Sequence, residues 1–149
     1  MMDVKEVEKY MCAIAQEIID ESNIKLSALP QNAKLEIKAQ KIRHNMASLC
    51  RTFVIMEYRC KNANPTRRKF VSELAKIPDD CSDEEITYLH ALLRIEDIFL
   101  KKYVKELEKA KQFNDDENIF ILETQIDAMK YITEKWREFG KAEGFNDEY

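Results

Sequence analysis

Between Leu35 and Cys60 the apolar side chains fall at Leu35, Ala39, Ile42, Met46, Leu49, Phe53, Met56 and Cys60, and every step is three or four residues. That period stacks them along one face of an α-helix and would scatter them over both faces of a strand. A helix with one apolar stripe must bury it against other elements, so a run this long commits the chain to helices packed side by side. Glycine and proline bear this out, with only 2 and 3 in 149 residues. Tight hairpin turns draw on glycine for positive φ, and there is almost none to draw on.

The other segments repeat the period. Val4, Val7, Met11, Ile14 and Ile18 mark a first helix whose pattern fades at Glu21 and Ser22. The stretch SNIKLSALPQN then reads as a connector, with Pro30 tolerable in the first turn of the next helix. Asn64-Pro65 is a plausible N-cap and N1 pair for a short third helix carrying Phe70, Val71, Leu74 and Ala75 and ending before Pro78. Ser82 and Glu85 have capping-box spacing and open a long fourth helix with the stripe Ile86, Leu89, Leu93, Glu96, Leu100, Tyr103, Leu107, Ala110. QFNDDEN breaks it, and Asn114 or Asp115 caps a fifth helix facing inward through Ile119, Leu122, Ile126, Met129, Ile132, Trp136 and Phe139. Gly140 and Gly144 mark its end, with a frayed tail from about 141 to 149.

Short connections between such helices favour antiparallel neighbours. The expected fold is an all-α, up-and-down antiparallel bundle of about five helices forming a single domain over residues 1–149. One short helix lies between the second and fourth. Four cysteines, Cys12, Cys50, Cys60 and Cys81, form no C-x-x-C pair and suggest free thiols in a reducing compartment, hence a cytoplasmic protein. The N-terminus lacks an apolar signal region and no apolar run reaches membrane-spanning length, so no membrane partner is expected. Seams rich in Met and Leu leave room for homo-oligomers.

Charge supplies the functional clue. The formal net charge is −4, yet residues 41–69 hold eight basic side chains against the single acid Glu57. Residues 70–149 hold 11 basic and 20 acidic. Helical spacing places Arg43, Arg51 and Arg59 at or near the outer face of the second helix, followed by Lys61. Arg67, Arg68 and Lys69 open the third helix, where positive charge opposes the macrodipole. A bland account is charge complementarity between this helix and acidic neighbours within the bundle. The sharper one is an anion-binding face. The expectation is a non-catalytic protein-binding or adaptor module that presents Arg43, Arg51, Arg59, Lys61, Arg67, Arg68 and Lys69 to an acidic protein surface. The alternative is a small helical subunit of a nucleoprotein complex using the same residues on phosphates. Against it stand the acidic total and the lack of aromatic-rich basic loops.

Catalytic constellations are sparse. His44 is expected on an outer face and His90 beside a stripe, neither with metal-ligand spacing to other groups. The Glu-x-x-His pairs of di-iron bundles are missing, and phosphate loops or nucleophile elbows would need glycines the chain does not have. Glu123 with Asp127 and Glu134 with Glu138 share helix faces with nearby cations and read as solvated surface. Glu96 alone interrupts a core stripe. It is either a structural ion pair with a base from another helix or an edge position, or, as a second alternative, the general acid or base of an enzyme. The expectation is no enzyme, cofactor or metal.

Overall fold

The computed structural model describes residues 3–145 except 64–81, with backbone alone for 57–63. Every regular element among the described residues is helical. Helix α1 (Val4–Ala28) opens on a full capping box: Glu6 N–H donates to the Asp3 carboxylate at 2.8 Å, and Asp3 N–H to the Glu6 carboxylate at 3.3 Å. Each bond satisfies a donor that has no partner within the helix. The helix does not fade at Glu21. A Lys25–Glu21 pair at 2.7 Å spans one turn of the expected connector, and Ser22 there is buried. Pro30 lies in the turn, not in the next helix; its carbonyl accepts from Ala33 N–H at 3.0 Å.

Helix α2 (Lys34–Ala63) follows. The expected short third helix falls in the segment outside the described residues. Helix α3 (Asp83–Leu93) starts on Ser82, whose hydroxyl accepts from Glu85 N–H at 3.2 Å. It passes into a π-helical segment (Arg94–Leu100) and then α4 (Lys101–Gln112), with helical backbone at both junctions. Asn114, at φ 52°, turns the chain, and Asp115 caps α5 (Asp116–Ala142), its carboxylate accepting from Asn118 N–H at 3.4 Å.

Gly140 does not end α5. It lies buried within the helix, against the Tyr88 ring. The stop is Gly144, at φ 78°. Its N–H donates to the Lys141 carbonyl at 3.1 Å, and Phe145 N–H reaches back to the Gly140 carbonyl at 2.8 Å. This is a Schellman closure, with its customary apolar contact between Phe145 and Phe139. The fray expected from residue 141 therefore does not begin before Phe145.

Cross-helix contacts fix the directions. Cys12 lies against the Arg51 carbonyl, while Ser22 and Lys25 share a cleft with Gln40 and Arg43, so α1 and α2 run antiparallel. Phe53 packs on Phe99, Lys111 pairs with Glu123 and Arg137 with Glu96, which sets the α3–α4 rod antiparallel to α2 and to α5. The Trp136 indole N–H donates to the Met11 carbonyl at 3.1 Å and ties α5 to α1. The described chain is an up-and-down bundle of four rods, and the π segment is the feature its spacing did not announce.

The core runs through Val7, Met11, Met46, Val54, Leu89, Leu92, Ile95, Met129, Ile132 and Trp136. Burial of a large apolar side chain contributes roughly 1.5–3 kcal/mol. Leu35, expected inside, is 68% exposed in the first turn of α2. No helix among the described residues is long and apolar enough to cross a membrane.

Candidate functional site

From Ile37 to Met56, α2 carries Lys38, Lys41, Arg43 and Arg51 and no carboxylate. Its buried residues Ala39, Gln40, Met46, Ala47, Cys50 and Val54 define the inward side. Lys41, Asn45 and Thr52 are exposed on the opposite side, where successive steps of three and four hold them in one row.

The four cations meet different fates. Lys38 reaches Glu117 of α5 at 3.2 Å, which joins the helices by an exposed pair. Lys41 and Arg51 are exposed, and neither has an ion-pair partner among the described residues. Arg51 sits beside the α1–α2 seam, where its charge and that of Glu8 act in opposite senses on the Cys12 thiol. Burial first, then Glu8, pushes that thiol from 9.0 to about 11, while Arg51 draws it down. Cys50, buried deeper, is pushed up to about 12 by burial.

Arg43 corrects the sequence expectation. Its side chain, still 41% exposed, turns from the outer row towards a cleft. Residues three and four away on either side (Ala39, Gln40, Met46, Ala47) are buried, and its side chain enters the cleft between α1, α2 and α5. Its nearest carboxylate is Glu36 at 3.8 Å, beyond hydrogen-bonding reach. A helix turns about 80° beyond two whole turns over eight residues, enough to carry Arg43 inward while Arg51 stays outside. The structure therefore does not bring Arg43 and Arg51 together. The side chains of Arg59 and Lys61, and all of Arg67, Arg68 and Lys69, lie outside the described residues.

Glu96 is neither in the core nor alone. The Arg137 guanidinium grips it with two parallel bonds, Nε to Oε1 at 2.8 Å and Nη2 to Oε2 at 2.5 Å. Both side chains are partly exposed, at 32% for Arg137 and 22% for Glu96. The wider π turn shifts the helical phase, so Ile95 takes the core position and Glu96 reaches across to α5. This is the structural ion pair weighed from the sequence. His44 is half-buried, not outward, and its Nδ1 is enclosed without a hydrogen bond. His90 is buried.

One feature the sequence reading missed is the three-helix cleft, about 370 Å³, on whose floor Ser22 and Gln40 are each 2% exposed. Ser22 lay in an expected connector and Asp127 in an expected solvated face, so no linear signal joined them. Among the described residues, no three His, Cys, Asp or Glu side chains gather into a metal-binding group. No protein-family model, curated protein or solved structure matches this chain.

Proposed function

We propose that the protein is a non-catalytic binding module whose α2 outer side, continued in sequence by residues 59–69, docks an acidic protein surface. One observation carries the reading: Lys41 and Arg51, about 80° apart around α2, stay exposed and have no ion-pair partner among the described residues, on a stretch from Ile37 to Met56 that bears no carboxylate. If charge complementarity inside the bundle were their purpose, α5 would neutralise them as Glu117 neutralises Lys38. The row beside them is uncharged, with Asn45, Ser48 and Thr52, and suits close approach of a partner helix or strand. A rigid bundle beneath this side limits the ordering cost of docking. Arg43 is assigned to the cleft and left out of the docking surface.

Fluorescence anisotropy with a labelled poly-glutamate peptide tests the reading, against a duplex oligonucleotide of equal charge. The peptide is expected to bind at low salt and to weaken as salt rises, because exposed charges are screened. Combined charge reversal, Arg51→Glu with Arg67→Glu and Arg68→Glu, is expected to abolish binding while helicity stays unchanged. Absence of peptide binding at low salt, or preferential binding of the duplex with a steep salt slope, would overturn the acidic-protein reading.

A further inference from the structure

The cleft between α1, α2 and α5 gathers polar and charged side chains from three helices. Ser22 and Gln40 are 98% removed from solvent, and both line it. Gln40 Nε2 donates to Glu36 Oε1 at 3.1 Å, which leaves its carbonyl oxygen without a described partner. The Ser22 hydroxyl has no hydrogen-bond partner among the described residues. Both oxygens keep contact with the open cleft and are not sealed in the core. Two such groups on one floor are poised for a polar ligand.

The walls say what kind. Arg43 presents a planar guanidinium fork that no carboxylate among the described residues engages within hydrogen-bonding distance, Glu36 lying at 3.8 Å. Asp127 of α5 lines the same cleft, exposed and without an ion-pair partner among the described residues. Lys25 and Glu21 neutralise each other at 2.7 Å, so they add no net charge. The cleft therefore presents one cation, Arg43, held only by the long 3.8 Å contact with Glu36, and one anion, Asp127. A purely anionic ligand would gain Arg43 and be repelled by Asp127; a purely cationic one would meet the reverse. Ile18, Ala128 and the half-exposed Tyr131 ring complete an apolar side. The volume lies at the small end of the range for ligand pockets.

We propose that this cleft binds a small zwitterion of the amino-acid class, its carboxylate on Arg43, its ammonium on Asp127, and its polar edge on Ser22 and Gln40. The apolar side chain of the ligand lies on Ile18 and Tyr131. The assignment is independent of the α2 outer surface, because Ser22 belongs to α1 and Asp127 and Tyr131 to α5, and Arg43 points away from that surface.

Isothermal titration of the whole chain with L-phenylalanine, L-leucine and L-glutamine tests it, alongside 3-phenylpropionate, which lacks the ammonium, and phenethylamine, which lacks the carboxylate. At least one zwitterion is expected to bind saturably, and each one-charged analogue of phenylalanine to bind about tenfold or more weakly than phenylalanine itself, the worth of one charge-assisted contact. Asp127→Asn, at an exposed position, is expected to abolish binding with helicity unchanged. Ser22→Ala is expected to weaken it. Saturable binding of 3-phenylpropionate as tight as that of phenylalanine, retention of binding in Asp127→Asn, or no saturable binding by any of the three amino acids at millimolar concentration would each overturn the proposal.

Discussion

Gly140 shows how tightly one residue can be specified. A Cβ built there would sit 2.4 Å from the Tyr88 ring, which is fully buried. Gly140→Ala is expected to cost about 1–3 kcal/mol by overpacking, read as a lowered urea midpoint. Gly144→Ala strains a positive φ but meets no neighbour, and is expected to cost less, about 1 kcal/mol. If the two losses rank the other way, the close approach of α3 and α5 is wrong. The buried thiols give a second residue-scale expectation. Cys12 and Cys50 stay protonated in the fold up to about 11 and about 12. Below pH 9 both folded and unfolded chains hold those protons, and the full stability is present. As pH rises from 9 towards 12 the unfolded thiols ionise first, so stability falls. Cys50→Ala is expected to flatten this alkaline slope, checked by denaturation at a series of pH values; an unchanged slope would place Cys50 outside the core. The glycine signals were visible in sequence but assigned to the wrong roles. Composition marks Gly140 as a helix end, and only the Tyr88 ring across the bundle reveals it as a contact.

At the scale of elements, the Glu96–Arg137 fork holds the π segment of the third rod against α5, while Arg94 lies 5.8 Å over the Phe53 ring on the other side. Arg137→Met is expected to cost about 1–2 kcal/mol, because the half-buried carboxylate loses its partner without full exposure to water. The double change Glu96→Leu with Arg137→Met is expected to recover part of that loss, since it leaves no half-buried carboxylate behind. Denaturation followed by fluorescence of Trp136, the single tryptophan, measures both variants. A double variant worse than the single would show that the fork contributes more than it costs in desolvation. The stripe of the third rod was legible as helix from Ile86 to Ala110, and so was the oddity of Glu96 within it. The π turn was not, because a strict three–four spacing is what an uninterrupted α-helix would show. Capping was legible where both members were close in sequence, as at Ser82 and Asp115. The α1 extension was not, because its Lys25–Glu21 pair sits among residues that favour connectors.

For the molecule as a whole, stripes at Val7, Met11, Ile126, Met129 and Trp136 were enough to predict an all-α bundle, since each needs apolar neighbours at the same period. The sites were less legible. Position on a helix follows from arithmetic, but which side a charge faces depends on where neighbouring rods stand. Arg43 and Arg51, assigned to one face, are divided by the α1–α2–α5 packing into a cleft residue and a surface residue. Lys41 and Arg51 remain as exposed cations of the middle of α2 with no ion-pair partner among the described residues, and the proposed docking depends on them. Backbone amide chemical-shift mapping of the isotopically labelled protein, titrated with an acidic poly-glutamate peptide at low salt, tests this most directly. Shifts are expected to concentrate at Lys41, Asn45, Ser48, Arg51 and Thr52 and to continue through residues 59–69, and to vanish at high salt. Shifts confined to α4 and α5, or none on the outer row of α2, would contradict it.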